Sequence, residues 1–360
     1  MRIAQVAPLH ESVPPQRYGG TERVVANLTE ELVGMGHDVT VFASGDSTTS
    51  ARIVPGCAVA LRHAGCADAV APHVAMIEDV YRRAHDFDVL HFHVDYLHFP
   101  ASRREGRVHV STMHGRLDLP ELAPVYGAFD DLPLVSISDA QRAPLPDLAW
   151  QRTIHHGLRG DSLALGDGRG GYLAFLGRMS PEKGLDRAIE IAARAGMPLR
   201  VAAKLDRADR DYHDRVLRPL LAQPGVEYLG EIGDRDKQEF LGGARALLFP
   251  IAWPEPFGIV MIEAMACGTP VVAFARGSVR EVVDHGVTGF VCETVDDAVR
   301  AVAAIDTVPR DGCRRRFEDR FTSRRMAADY IELYRRLADA RRDHPDRGPV
   351  LHPRRKHAHG

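Results

Sequence analysis

Apolar residues fall in short runs separated by stretches of helical periodicity, and the two patterns alternate along most of the chain. Residues 3–7 form the first run, followed by a polar loop over 10–20 that holds Pro14, Pro15, Gly19 and Gly20. Val24, Val25, Leu28, Leu32 and Val33 then recur at helical spacing until Gly36. Runs at 39–42, 88–93, 108–113 and 134–138 read as further strands. The alternation restarts with strands over 172–177, 199–203, 226–229, 246–249 and 271–274, a helix over 185–195 and a last helix over 324–340. Strands alternating with helices predict an α/β fold of parallel βαβ units in each half.

The halves are separated where Gly157, Gly160, Gly166, Gly168, Gly170 and Gly171 crowd a stretch poor in apolar side chains. This reads as a linker and predicts domains over 1–160 and 161–325. A length of 360 residues fits two domains, and 45% hydrophobic with 26% charged residues argues against a wholly disordered chain. The tail over 343–360, rich in Arg, His and Pro, is expected to be disordered. No apolar run approaches the ~20 residues of a membrane span, and the apolar start is too short for a signal peptide. A formal net charge of -3 gives no reason to expect nucleic-acid binding. Five scattered cysteines without a C-x-x-C pair predict a reduced, cytoplasmic protein with no structural zinc.

Two segments carry candidate chemistry. Phe175-Leu176-Gly177-Arg178-Met179-Ser180-Pro181-Glu182-Lys183-Gly184 runs from a strand end toward a helix, with Ser180 and Pro181 suited to the cap and first turn. Arg178 and Lys183 beside a helix N-terminus are unfavourable unless an anion such as a diphosphate binds there; two solvated surface cations are the plain alternative. In Pro254-Glu255-Pro256-Phe257-Gly258-Ile259-Val260-Met261-Ile262-Glu263, one carboxylate sits in a proline-bracketed loop and the other inside an apolar helix. Carboxylates accept from vicinal hydroxyls, so the pair suits a polyhydroxylated ligand; alternatively Glu263 lies on a solvent-facing stripe.

Glu255 and Glu263 with seven residues between resemble the E-x7-E signature of retaining glycosyltransferases of family 4, also called glycosyl transferases group 1. Pro250, the run Cys267-Gly268-Thr269-Pro270, Gly277-Ser278 and Gly286-Val287-Thr288-Gly289 stand in that family's order. So do Gly19-Gly20-Thr21-Glu22 and Thr112-Met113-His114-Gly115. The resemblance extends to about Tyr334 and implies a GT-B fold, two Rossmann-like domains with parallel sheets facing across a cleft. It implies a helix over 326–342 that crosses back to the first domain. It further implies metal-independent transfer, with retention, from a nucleotide-sugar co-substrate to an acceptor.

By the same resemblance Arg178 and Lys183 neutralise the departing diphosphate, Glu263 holds ribose hydroxyls and Glu255 contacts the sugar near the reacting carbon. Backbone at Gly19, Gly20, Gly177, Phe257, Gly258 and Ile259 approaches sugar or phosphate, and His114 approaches the sugar. The base is read near Gly230-Glu231-Ile232, with UDP-sugars such as UDP-glucose the first expectation. His93, Asp95, Tyr96 and Arg116 are acceptor-side candidates. His91, His93 and His98 suggest a metal cluster at first sight, but no further ligand at suitable spacing completes it. Arg280 and the His155-His156-Gly157 turn depart from the family pattern; Arg280 reads as a phosphate contact or a solvated side chain. The acceptor is undefined, and basic segments near 314–325 read as a solvated face or a membrane contact. A nucleotide-sugar epimerase of the same fold and a non-catalytic nucleotide-sugar binding protein are the alternatives. A dehydrogenase is disfavoured because G-x-G-x-x-G is missing after the first strand.

Overall fold

The computed structural model describes residues 1–16 and 19–343. The tail expected over 343–360 lies outside them except for Asp343, which ends the last helix. The described residues form two compact units, Met1–His155 with the chain from Arg324 onward, and His156–Ser323.

The first unit carries a seven-stranded parallel sheet in the order β3-β2-β1-β4-β5-β6-β7. Its strands are β1 Arg2–Val6, β2 Asp38–Ser44, β3 Arg52–Cys57, β4 Val89–Phe92, β5 His109–Thr112, β6 Leu134–Ser136 and β7 Trp150–Thr153. The second unit carries a six-stranded parallel sheet in the order β10-β9-β8-β11-β12-β13. These strands are β8 Leu173–Arg178, β9 Leu199–Lys204, β10 Val226–Tyr228, β11 Ala246–Phe249, β12 Val271–Phe274 and β13 Gly289–Cys292. Central strands are covered on both faces, so β4, β5, β11 and β12 are buried throughout; β11 and β12 read as apolar runs, and β4 and β5 each add one buried histidine, His91 and His109. The apolar pattern misses β3, β7 and β13, and all three are edge strands. An edge tolerates Pro55 and Gly56 in β3 and the polar middle of β7, Gln151 and Arg152.

The glycine-rich stretch is not a loose linker. The division falls at residue 155, earlier than the expected 160, because the chain is already docked on the second unit by Leu158, whose amide donates to Phe321 O at 2.9 Å. Gly166, Gly168 and Gly170 donate to the carbonyls of Cys267, Gly242 and Gly243 at 3.0, 3.0 and 2.9 Å. A Cβ on Gly166 would stand 2.3 Å from Gly242 Cα, so its glycine serves close backbone approach rather than freedom. The guanidinium of Arg310 locks the seam by donating to the carbonyls of Gly166, Gly242 and Ala244 at 3.0, 2.9 and 2.9 Å.

The last helix, Ser323–Asp343, belongs from Arg324 to the first unit. It buries Met326, Tyr330, Leu333, Tyr334 and Leu337. In both sheets the strand order reverses beside the strand that comes first in the chain, between β1 and β4 and between β8 and β11. Such switch points leave room for a ligand at the carboxyl ends of the strands.

Candidate active site

In the second unit the segments leaving β8 and β11, the two switch-point strands, are stitched together. After β8 the chain makes a 3-10 turn, Pro181–Lys183, and Gly184 at φ 72° interrupts it before the helix Leu185–Arg194. The single continuous helix expected from Ser180-Pro181 is therefore split, and the Ser180 side chain caps no amide. The Ala252 amide donates to Glu182 O at 2.9 Å, tying this turn to the loop after β11. Lys183 Nζ thereby reaches Glu255 Oε2 at 2.5 Å, with Glu255 buried and the Lys183 side chain 14% exposed. Trp253 Nε1 donates to the same oxygen at 2.9 Å, and Lys183 Nζ stands 4.8 Å over the Trp253 ring. Arg178 donates to Glu182 at 2.5 Å and has Asp206 and Asp209 at 3.9 and 4.0 Å. Both predicted cations thus stand at one strand end, each against a carboxylate that an incoming anion can replace.

The Glu255 loop is clamped from below by the turn after β12. Gly277 has φ 55°, and a Cβ there would sit 2.3 Å from Glu255 O. Ser278 donates its amide to Glu255 O at 3.0 Å and its hydroxyl to Phe257 O at 2.9 Å. Gly258, at φ 76°, opens the helix Ile259–Ala266, so Phe257, Gly258 and Ile259 stand at its N-terminus as expected from sequence. That helix buries Glu263 rather than presenting it on a solvent-facing stripe. Lys237 Nζ, from the helix Asp234–Gly242, donates to Glu263 Oε1 at 2.7 Å and also stands 3.4 Å from Asp234. The pair leaves acceptor capacity on Glu263 for hydroxyls. At Gly177 a Cβ would meet only the Phe175 ring at 3.8 Å, so packing does not demand a glycine there. Glu231 is exposed in the turn after β10. Arg280 is exposed and paired with Glu293 at 2.6 Å, which favours the solvated reading over a phosphate contact.

In the first unit Gly19 and Gly20 begin the helix Gly20–Gly34 after β1. Its first turn buries Glu22, whose carboxyl burial pushes up to about 7 and which accepts the Glu11 amide at 3.3 Å. His93 follows β4 and His114 follows β5, with His93 Nδ1 2.8 Å from His114 Nε2. His93 Nε2 faces Gln5 Oε1 at 2.8 Å, so both ring nitrogens of this buried residue are engaged within the protein. His93, predicted on the acceptor side, thus stands between Gln5 and His114. Burial pushes His114 down to about 3, so its imidazole is neutral at physiological pH. Asp95, also after β4, is exposed and holds φ 49°, a left-handed conformation uncommon outside glycine. Tyr96 is exposed and packs edge-on against Tyr126. Arg116 is held by Asp118 through two contacts of 2.7 Å.

The sequence relationships decide what this chemistry belongs to. Glycosyltransferase Family 4 matches residues 18–152, and Glycosyl transferases group 1 matches residues 167–324. The chain is 30% identical over 344 residues to a phosphatidyl-myo-inositol mannosyltransferase of Mycolicibacterium smegmatis, covering 86% of this chain and 85% of that protein. The chain belongs to glycosyltransferase family 4. This glycosyltransferase is also 28% identical over 343 residues to a D-inositol 3-phosphate glycosyltransferase of Frankia alni, covering 78% of this chain and 83% of the relative. Its fold matches the crystal structure of AviGT4, a glycosyltransferase involved in avilamycin A biosynthesis. The TM-score is 0.73 at 25% identity, covering 94% of this chain and 98% of that one. Two parallel-sheet α/β units and this likeness establish the GT-B fold.

Sequence reasoning did not single out Lys237, Trp253 or Gln5 in the glycosyltransferase. Each acts on a predicted residue from a distant segment, and no local spacing connects Lys237 to Glu263 or Gln5 to His93. A carboxylate inside an apolar helix was the available signal for a hidden cation. Among the described residues, no group of three or more His, Cys, Asp or Glu side chains is arranged to hold a metal ion. His91 instead spends its ring nitrogens on Tyr334 OH at 2.6 Å and Thr112 Oγ1 at 2.7 Å. His98 faces Ser102 at 2.5 Å and Ser111 at 2.8 Å. No helix among the described residues is long and apolar enough to cross a membrane.

Proposed function

We propose that this glycosyltransferase transfers a hexose, with retention and without a metal ion, from a nucleoside-diphosphate hexose to a hydroxyl of a polyol acceptor. A UDP-hexose such as UDP-glucose is the first donor to try. The observation that carries the reading is the meeting of Lys183 with Glu255 at 2.5 Å, beside Arg178, at a switch point of a parallel sheet. An arriving diphosphate takes Lys183 and Arg178 from their carboxylate partners. Glu255 is then released toward hydroxyls of the sugar, while Glu263 and Lys237 stand ready for ribose. The bond from the anomeric carbon to the diphosphate breaks, and the bond to the acceptor oxygen forms on the same face. The acceptor proton leaves with the diphosphate. The two cations supply the charge stabilisation that a metal ion would otherwise give. Gly19, Gly20 and His114 would serve the donor from the first unit, and Asp95, Tyr96 and Arg116 the acceptor. The two named relatives both carry inositol in their names, so an inositol-type polyol is the first acceptor to test.

The test is release of free nucleoside diphosphate from a panel of nucleotide-sugars, with and without myo-inositol acceptors and with EDTA, and product configuration read by NMR. Retained configuration and undiminished rate in EDTA are expected. Loss of rate in EDTA sinks the metal-free mechanism, and epimerised donor without diphosphate release points to an isomerase. Lys183→Ala and Glu255→Ala are each expected to lower kcat/KM by about 100-fold or more, the scale of one lost transition-state contact, with the fold intact by circular dichroism.

A further inference from the structure

We propose, on the reading that a diphosphate draws Lys183 away from Glu255, that Trp253 is a positioning residue for both. Its indole N–H anchors Glu255 Oε2 and its ring face carries the Lys183 ammonium, so each partner keeps a place when the ion pair opens.

The ion pair poses a physical problem. Lys183 Nζ and Glu255 Oε2 meet at 2.5 Å, and Glu255 is buried. A carboxylate taken out of water is costly once its cation leaves. A long ammonium side chain set loose gains rotamer freedom that must be lost again before the next turnover. Held by charge alone, the two would either stay locked together or scatter when an anion arrives.

Trp253 touches both. Its Nε1 donates at 2.9 Å to Glu255 Oε2, the oxygen that Lys183 also holds. An indole N–H is a donor only, so this contact favours the ionised carboxylate and does not depend on the cation beside it. Lys183 Nζ lies 4.8 Å from the centre of the Trp253 ring and 6.0 Å from that of Phe249, at the end of β11. The attraction of a cation to a ring face reaches to ~6 Å and has no single acceptor atom. The ammonium can therefore slide from carboxylate toward phosphate without leaving the indole.

The backbone holds the indole where this matters. The Ala252 amide donates to Glu182 O at 2.9 Å, so the residue before Trp253 is tied to the residue before Lys183. The Glu255 amide donates to Trp253 O at 2.8 Å, and Glu255 O accepts from the Ser278 amide at 3.0 Å. Pro254, with its restricted φ, stands between Trp253 and Glu255. Indole, ammonium and carboxylate thus share one pinned frame, all of it within the second unit. Trp253 is half-buried and stands outside the core cluster that runs from Leu173 to Ile305, so filling that core does not account for it.

The consequence is a division of labour. The N–H serves Glu255 and through it turnover, while the ring face serves Lys183 and through it the diphosphate. Phenylalanine at this position keeps the ring and loses the N–H, and leucine loses both.

The first experiment reads the indole directly. The chain has two tryptophans, Trp150 and Trp253, so the Trp253 Nε1–H signal in a 15N–1H correlation spectrum of the full chain is assigned by its absence from Trp253→Phe. Lys183→Ala removes the cation with no nucleotide present, so the anchor is tested whether or not the donor reading holds. The signal is expected to keep its hydrogen-bonded position in Lys183→Ala and to move to that of a free indole in Glu255→Ala. A free-indole position in Lys183→Ala, or no change in Glu255→Ala, overturns the proposal. Kinetics and calorimetry then separate the two halves, with UDP, GDP and ADP as the diphosphates. Trp253→Phe is expected to lower kcat about tenfold, the loss of one hydrogen bond to a charged group, with diphosphate affinity unchanged. Trp253→Leu is expected to weaken diphosphate affinity about fivefold as well. Wild-type kcat in Trp253→Phe, or equal diphosphate affinity in the two variants, overturns the assignment. Failure of wild type to bind any of the three sinks the donor reading and with it the role of the ring, while the spectrum still decides the anchor.

Discussion

Glu263 shows how a single residue's surroundings change its reading. A lone carboxylate inside Ile259–Ala266 would be costly to bury, and Lys237 removes that cost by direct pairing. Breaking such a pair by removing one partner leaves an unpaired buried charge. Lys237→Met is therefore expected to destabilise the protein by about 3 kcal/mol, with Lys237→Met/Glu263→Gln recovering most of the loss. Thermal unfolding measures the recovery, and if Glu263 holds ribose as proposed, nucleotide affinity should remain weakened in the double variant because a neutral amide accepts from hydroxyls less strongly than a carboxylate. Additive losses would show that the pair is not coupled. Glu22 is the contrasting case, a buried carboxyl pushed up to about 7 chiefly by desolvation. Below the ordinary carboxyl range it is protonated in both the folded and unfolded chain, and its stability contribution is intact. As pH rises toward and through 7 the unfolded chain gives up the proton first, and folding is penalised. Glu22→Gln removes that penalty, so its gain in melting temperature over wild type should be larger at pH 8 than at pH 5. An equal gain at both pH values would refute the buried-carboxyl account.

At the scale of elements, what the sequence reveals depends on how local the cause is. Central strands and the motif-bearing turns are legible because burial on two faces forces runs such as Ala246-Leu247-Leu248-Phe249, and because Arg178, Lys183 and Glu255 sit within recognisable segments. The edge strands β3, β7 and β13 are not, since an edge relaxes the demand for apolar residues. The glycine-rich stretch misleads for a different reason. The same lack of side chain that permits flexibility also permits a backbone to lie against Gly242, and only the fold distinguishes the two. Ser278 belongs with these cases, because only the fold shows that its buried hydroxyl holds Phe257 O. The Glu255 loop depends on that turn. A Cβ at Gly277 would meet backbone atoms of Glu255 and Pro254, where nothing can rotate away. Gly277→Ala should therefore displace the loop and lower kcat/KM by an order of magnitude or more, while Gly286→Ala, at φ 78° with nothing within 4 Å, carries only left-handed strain. Comparing the activity of the two variants separates steric contact from backbone strain, and equal losses would sink the clamp.

At the scale of the whole molecule, the two units differ in how the chain supplies their cores. The second unit is one continuous segment, His156–Ser323, and a core cluster running from Leu173 to Ile305 is drawn from that segment. The first unit is discontinuous, because Met1–His155 is completed by the helix that begins at Ser323. That helix buries Met326, Tyr330, Leu333, Tyr334 and Leu337, each 0% or 1% exposed. At about 1.5–3 kcal/mol per fully buried side chain its contribution is on the order of 10 kcal/mol, as large as the ~5–15 kcal/mol that holds a typical domain together. Polar ties add specificity, since Tyr330 and Tyr334 bond Thr112, Gln5 and His91, and Arg152 pairs with Asp329 and Glu332 at 2.9 and 2.8 Å. Removing the helix would expose the face of the sheet and leave those buried groups without their partners. A fragment of residues 156–323 is therefore expected to fold alone, with dispersed amide resonances and a cooperative melt. Residues 1–155 alone should lack a cooperative transition and regain one when joined through a flexible linker to residues 324–343. A cooperative melt of residues 1–155 without the helix would show that the sheet does not need it.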